Sequence, residues 1–127
     1  MSKEQQVIVN KVSLITKRGD IWLVEFPKVD ESRKPIRPCL VVSNDFQNKI
    51  DKWIMVAPLT TENTEDVKKW EVYLEKTSDL KIDHPSKVLF SYLHTVNKGR
   101  LKKYLGTASP EIMAKVKKAW EISFDWD

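Results

Sequence analysis

The run Arg37-Pro38-Cys39-Leu40-Val41-Val42 constrains the fold more than any other stretch of this chain. After the proline it is apolar throughout and too short for a buried helix, so it reads as a short apolar strand. A rigid proline and a permanent cation stand at its mouth. An arginine held there by stiff backbone can bind a phosphate without first being ordered. The preceding segment, residues 27–36, holds two prolines and a mixture of charged side chains, which predicts a long loop. Long loops in compact domains tend to be functional or mobile.

The rest of the chain repeats the theme of short strands. Residues 21–26 predict a strand with Trp22, Val24 and Phe26 on one face and Glu25 opposite. Ser43 or Asn44 can cap a single helical turn through Asn48. Residues 53–59 predict a further strand ending at Thr60-Thr61, followed by a polar loop over 61–69. Trp70, Val72 and Leu74 then alternate with Glu71, Tyr73 and Glu75, the mark of a half-buried strand. After a turn region reaching Pro85, strands are expected over 88–93 and 102–107. Ser109 as N-cap, Pro110 in the first turn and the spacing of Ile112, Val116, Ala119 and Ile122 predict an amphipathic terminal helix. Periodicity gives a chain that is mainly β with α at its C-terminus, and short strands with one terminal helix lead to the expectation of a small, strongly curved antiparallel barrel with a C-terminal helix. Residues 1–16 show no sharp period and are expected to form an N-terminal arm on a domain spanning 17–127.

With 127 residues, 41% of them hydrophobic and 31% charged, one globular domain is the simplest reading and the composition argues against disorder. The net charge of +4 is modest, but the cations gather in two places. Lys28, Arg33, Lys34 and Arg37 fall in one expected loop, and Lys98, Arg100, Lys102 and Lys103 in another. Brought together they would form a basic rim suited to a phosphate backbone. Five Trp and three Tyr offer stacking platforms for bases as well as core volume. The single Cys39 excludes an internal disulfide and fits a reducing cytoplasm. The first residues lead only to the short Val7-Ile8-Val9 run, so neither a signal peptide nor a membrane span is expected, and the chain reads as cytoplasmic. His84 and His94 are the two histidines, and the acidic residues show no ligand spacing, so no metal or other cofactor is expected.

Four short strings occur in order: Arg18-Gly19-Asp20-Ile21-Trp22, Arg37-Pro38-Cys39-Leu40-Val41-Val42-Ser43, Val56-Ala57-Pro58-Leu59-Thr60-Thr61, and Thr95-Val96-Asn97-Lys98-Gly99-Arg100-Leu101. In this order and spacing the chain resembles the MazF/PemK/Kid family of bacterial toxins from about Lys17 onward. The resemblance implies a homodimer of SH3-like or CcdB-like barrels that cuts single-stranded RNA sequence-specifically, at short sequences, without metal. In that reaction the ribose 2′-OH attacks the adjacent phosphate and leaves a 2′,3′-cyclic phosphate and a 5′-OH. It also implies a cognate antitoxin whose C-terminal segment is acidic with apolar anchors. Arg37 matches the family's catalytic arginine, whose fork of donors suits a developing phosphorane. Thr60 matches the essential threonine, a positioner of the same phosphate.

Two places depart from the family pattern. Where members carry an acidic residue, then Gln, then a basic residue one position on, this chain has Ser91, Tyr92 and His94. His94 is the replacement able to relay protons near neutral pH, Ser91 stands where an acidic proton acceptor would, and Tyr92 either stacks on a base or lies in a dimer core. The loop before Arg37 reads Asp30-Glu31-Ser32-Arg33-Lys34-Pro35 in place of a Gly-Ser-Glu-Gln-like string, with Glu31 where the family glutamate stands. Lys28, Glu31, Arg33, Lys34, Ser91 and Tyr92 are the expected RNA contacts. Two other readings compete with the nuclease: a catalytically decayed homologue that binds RNA or antitoxin, and a CcdB-like poison of DNA gyrase acting through the terminal helix.

Overall fold

In the computed structural model of the chain, residues 16–27 and 35–126 are described. Their elements run β1 (Asp20–Glu25), β2 (Ile36–Val41), α1 (Asp45–Ile50), β3 (Trp53–Thr60), β4 (Glu71–Leu74), β5 (Ser86–Leu89), β6 (His94–Asn97), β7 (Leu101–Thr107) and α2 (Pro110–Ser123). Short 3₁₀ turns at Phe90–Tyr92 and Lys98–Arg100 separate β5, β6 and β7. The expected arm lies, except for Thr16, outside the described residues, as do the loop positions Lys28, Glu31, Arg33 and Lys34.

The strands form one antiparallel sheet in the order β4-β5-β3-β2-β1-β7, with β6 also paired to β3. The apolar run of β2 is explained by its place in the middle of this sheet. Leu40 points into a core shared with α2, while Cys39 and Val41 enter a second core on the other face. β1 is covered on both faces too: Trp22 and Val24 join the second core, and Ile21 joins the first. The polar opposite face expected for β1 is therefore confined to its end, at Glu25.

Two boundaries differ from expectation. β2 begins at Ile36, so Arg37 is part of a strand and not of the loop before it. The strand expected over 88–93 ends at Leu89, where the chain turns a 3₁₀ corner before β6. The reason is the length of β3. Its Leu59–Thr60 end pairs with β5 and its Trp53–Val56 end with β6, so the chain must step along the same edge between the two. The strand expected over 102–107 forms as β7, which takes Lys102 and Lys103 out of the second basic loop.

The sheet is curved but not closed, since β4 and β7 stand at its two ends. The segment between β4 and β5 spans that gap: the Lys81 N–H donates to the Leu105 carbonyl at 2.8 Å, and Leu80 and Ile82 are buried in the first core. Gly106 makes this close approach possible. Its φ is +140°, and a Cβ there would lie 2.4 Å from the Asp79 carbonyl oxygen, so a side chain is excluded by both backbone strain and contact. α2 starts as its residues predict, with the Ser109 side chain accepting from the Ile112 N–H at 3.2 Å and Val116 and Ala119 buried against the sheet. α1 is likewise capped by Asn44, which accepts from the Gln47 N–H at 2.8 Å.

Candidate functional site

Arg37 is half-buried in β2, opposite Val24 of β1, and its Nη2 donates to the Leu59 carbonyl at 3.1 Å. That carbonyl belongs to the residue before Thr60. The β2–β3 ladder pairs Cys39 with Pro58, and continuing the antiparallel register by two residues sets Arg37 opposite Thr60. Opposite residues of an antiparallel pair project to the same face. Thr60, at the end of β3, accepts from the Glu62 N–H at 3.1 Å through Oγ1. In that role its hydroxyl keeps its own hydrogen as a donor. A guanidinium with donors left over is thus tied to the residue before Thr60, whose hydroxyl is held by its own turn.

His94 opens β6 on the other edge of β3, with Val56 as its partner in register. Its ring lies 4.9 Å from that of Phe26, tilted by 55°. Partial burial lowers the imidazole below its ordinary value, and the positive charge of Arg37 lowers it further. Its ring is therefore neutral at pH 7 and able to take up a proton. The tertiary structure thus gathers Arg37, Thr60 and His94 on three neighbouring strands. Cys39 is close in sequence but chemically silent: burial pushes its thiol up to about 12, outweighing the opposing pull of Arg37.

Ser91 and Tyr92 lie on the 3₁₀ turn leading into His94, and both are exposed. Tyr92 is 61% exposed, so within one chain it contributes nothing to a core. Of the second basic group, Arg100, Lys102 and Lys103 reach the surface to differing degrees, whereas Lys98 is buried and burial lowers its ammonium below the ordinary value.

Lys87 is a residue of this neighbourhood that sequence reasoning missed. It is Thr60's partner in the β3–β5 register. Its ammonium lies 2.9 Å from Glu71 Oε1 and donates to the Asp66 carbonyl, also at 2.9 Å. The two side chains are only 7% and 10% exposed. Glu71 Oε1 also accepts from the Lys68 N–H at 2.9 Å, so one buried ion pair ties the loop after Thr60 to β4 and β5. The available signal was a lysine directly before the apolar Val88-Leu89 pair. Alternation alone placed Glu71 on the solvent face of β4. Phe26 was legible as an inward aromatic, but its pairing with His94 was not.

Among the described residues, no three His, Cys, Asp or Glu side chains are grouped to hold a metal ion. No described helix is long and apolar enough to cross a membrane.

Residues 17–124 match the family model described as PemK-like, MazF-like toxin of type II toxin-antitoxin system. The Endoribonuclease MazF of Staphylococcus saprophyticus is 33% identical over 108 residues, covering 84% of this chain and 89% of that protein. Among solved structures, an endoribonuclease in complex with its cognate antitoxin from Mycobacterial species superposes with a TM-score of 0.69. It is 23% identical, over 88% of this chain and 99% of that one. A MazF toxin of Mycobacterium tuberculosis superposes with a TM-score of 0.70 at 20% identity, covering 85% and 98% of the two chains. These structures share the fold, an antiparallel sheet with a C-terminal helix. Because the match to the family spans the four strings from Arg18 through Leu101 and the helix after them, this chain belongs to the PemK-like, MazF-like toxins of type II toxin-antitoxin systems.

Proposed function

We propose that the chain is an endoribonuclease toxin that cleaves single-stranded RNA with the ribose 2′-OH as nucleophile. The O2′–P bond forms and the P–O5′ bond breaks, giving a 2′,3′-cyclic phosphate and a 5′-OH. The proton leaves O2′ for a base, and another is delivered to the departing O5′, so the step needs no cofactor. The observation that carries this reading is the anchoring of Arg37 on the carbonyl of Leu59, the residue before Thr60, which leaves its other donors unused by that bond.

In this reading Arg37 holds the phosphoryl oxygens as charge grows on them. Thr60 donates to the same phosphate and fixes its position. His94, neutral and beside the guanidinium, receives the proton from O2′. Ser91 and Tyr92 contact RNA next to it, and Lys28, Glu31, Arg33 and Lys34 do so from the preceding loop. The activity belongs to residues 17–127. The toxin works in the cytoplasm as a homodimer, and its antitoxin offers an acidic segment with apolar anchors to the same basic groove.

Purified protein, a mixed-sequence single-stranded RNA, EDTA and an all-DNA copy test the reading. RNA cleaved with cyclic-phosphate ends and DNA left intact is the expected result. RNA bound but uncut over hours would instead favour the decayed-site alternative, with Ser91 in place of an acid as its cause.

His94 adds a pH signature. Its folded-state value is lowered, so the proton-accepting form persists below pH 6.5. The acid limb of kcat/KM should therefore have its midpoint under 6.5, and His94→Gln should abolish that limb. A limb unchanged in His94→Gln would assign the base elsewhere. The same sign applies to stability: the contribution of His94 is present above pH 6.5 and is lost as the pH falls through the lowered value.

A further inference from the structure

We infer that RNA bound at the Arg37 site continues along β6 into a cleft walled by Pro27, Trp53, Thr95, Asn97, Arg100 and Lys102. There Trp53 stacks on a base and Arg100 holds a phosphate. The inference rests on the nuclease reading and extends it to a contact beyond the reacting linkage.

The cleft has a volume of about 530 Å³, within the range of roughly 300–1,000 Å³ typical of ligand sites. Its lining adjoins the candidate site along the chain. Thr95 follows His94 along β6, and Pro27 follows Phe26, whose ring packs against the imidazole at 4.9 Å. From His94 to Asn97 the strand rises about 10 Å. A bound chain must therefore run past the cleaved linkage to reach Trp53, which pairs with Asn97 in the register.

Both walls are fixed before anything binds. The Trp53 N–H donates to Asp51 Oδ1 at 3.0 Å, and its carbonyl accepts from Gln47 Nε2 at 3.2 Å. Its side chain is 46% exposed, an open aromatic face on a rigid backbone. The facing turn is held by the Lys98 N–H on the Lys52 carbonyl and the Gly99 N–H on Asn97 Oδ1, both at 2.9 Å. Arg100 projects from that turn, and Lys102 follows it on β7, 3.6 Å from Glu25. Since Lys102 shares its charge with that carboxylate, the phosphate is assigned to Arg100. Aromatic stacking accepts any base, and an adjacent guanidinium selects for the backbone, so the chemistry fits single-stranded nucleic acid of varied sequence.

Two RNAs sharing one cleaved sequence test this, one ending beside the scissile linkage and one extended on both sides. The wild-type protein should show a KM about 10-fold lower on the extended RNA. Trp53→Ala should remove that advantage, and Trp53→Phe should keep most of it. Arg100→Ala should reduce it and also lower the slope of log(1/KM) against log salt by about 0.7. Trp126→Ala, which removes a 94% exposed tryptophan beyond α2, should retain the advantage. Equal preference for the extended RNA in wild type, Trp53→Ala and Arg100→Ala would overturn the cleft. So would a wild type with the same KM on both RNAs. A wild type that cleaves neither RNA overturns the nuclease reading, and this inference with it.

Discussion

Arg37→Ala is expected to lower kcat on single-stranded RNA by about 10²–10³-fold, the usual loss when one preorganised donor to a transition-state oxyanion is removed. The loss should fall on kcat more than on KM, because the guanidinium matters most when the phosphoryl oxygens carry their greatest charge. Arg37→Lys should recover only part of the activity, since an ammonium supplies the charge without the fork that donates to Leu59 and to the phosphate together. Single-turnover cleavage in EDTA, with RNA binding measured in parallel, reads both effects. An Arg37→Ala protein as fast as the wild type would remove this residue from the chemistry.

Lys87→Met should destabilise the fold by about 3–5 kcal/mol, because it leaves Glu71 as an uncompensated charge in a nearly dry site. It also strips the Asp66 carbonyl of its donor and so releases the loop that follows Thr60. Combining Lys87→Met with Glu71→Leu should recover most of the loss, since replacing both members of a buried pair by apolar groups is often close to neutral. Urea midpoints of the two single variants and the double variant give the coupling directly. A single variant as stable as the wild type would show that the pair carries no net weight. If the double variant regains stability but cleaves RNA more slowly than the wild type, the tether to Asp66 also serves to place Thr60.

Much of the fold was legible because local rules and tertiary context agree in most segments. The terminal helix was readable from Ser109, Pro110 and the apolar spacing through Ile122, and it forms as expected. The first helix was readable from Asn44, and it runs two residues past the expected Asn48. Where the local rules failed, the cause was pairing at a distance. Nothing local to residues 88–93 reports that β3 is long enough to take two partners on one edge, so neither the corner at Phe90–Tyr92 nor the strand at His94–Asn97 was expected. Ile36 and Arg37 read as loop because prolines flank them, yet pairing with Glu25 and Val24 makes them strand.

For the candidate site, the division is similar. The candidates of suitable chemistry were legible locally: Arg37 and Thr60 from the strings that carry the family resemblance, and His94 from its place where the chain departs from the family pattern. Their gathering on β2, β3 and β6, the hold of the Leu59 carbonyl on Arg37 and the lowering of His94 by burial and by the Arg37 charge were not, because each depends on residues far apart in the chain. The same is true of Lys87 with Glu71 and of Trp53 opposite Asn97. Sequence by itself determined the side-chain chemistry, the apolar strands and the helix signals, since these depend on residue type and short-range periodicity. Only the tertiary structure decided which of those groups share a face and which charges are paired, because strand register and burial are set by long-range contacts.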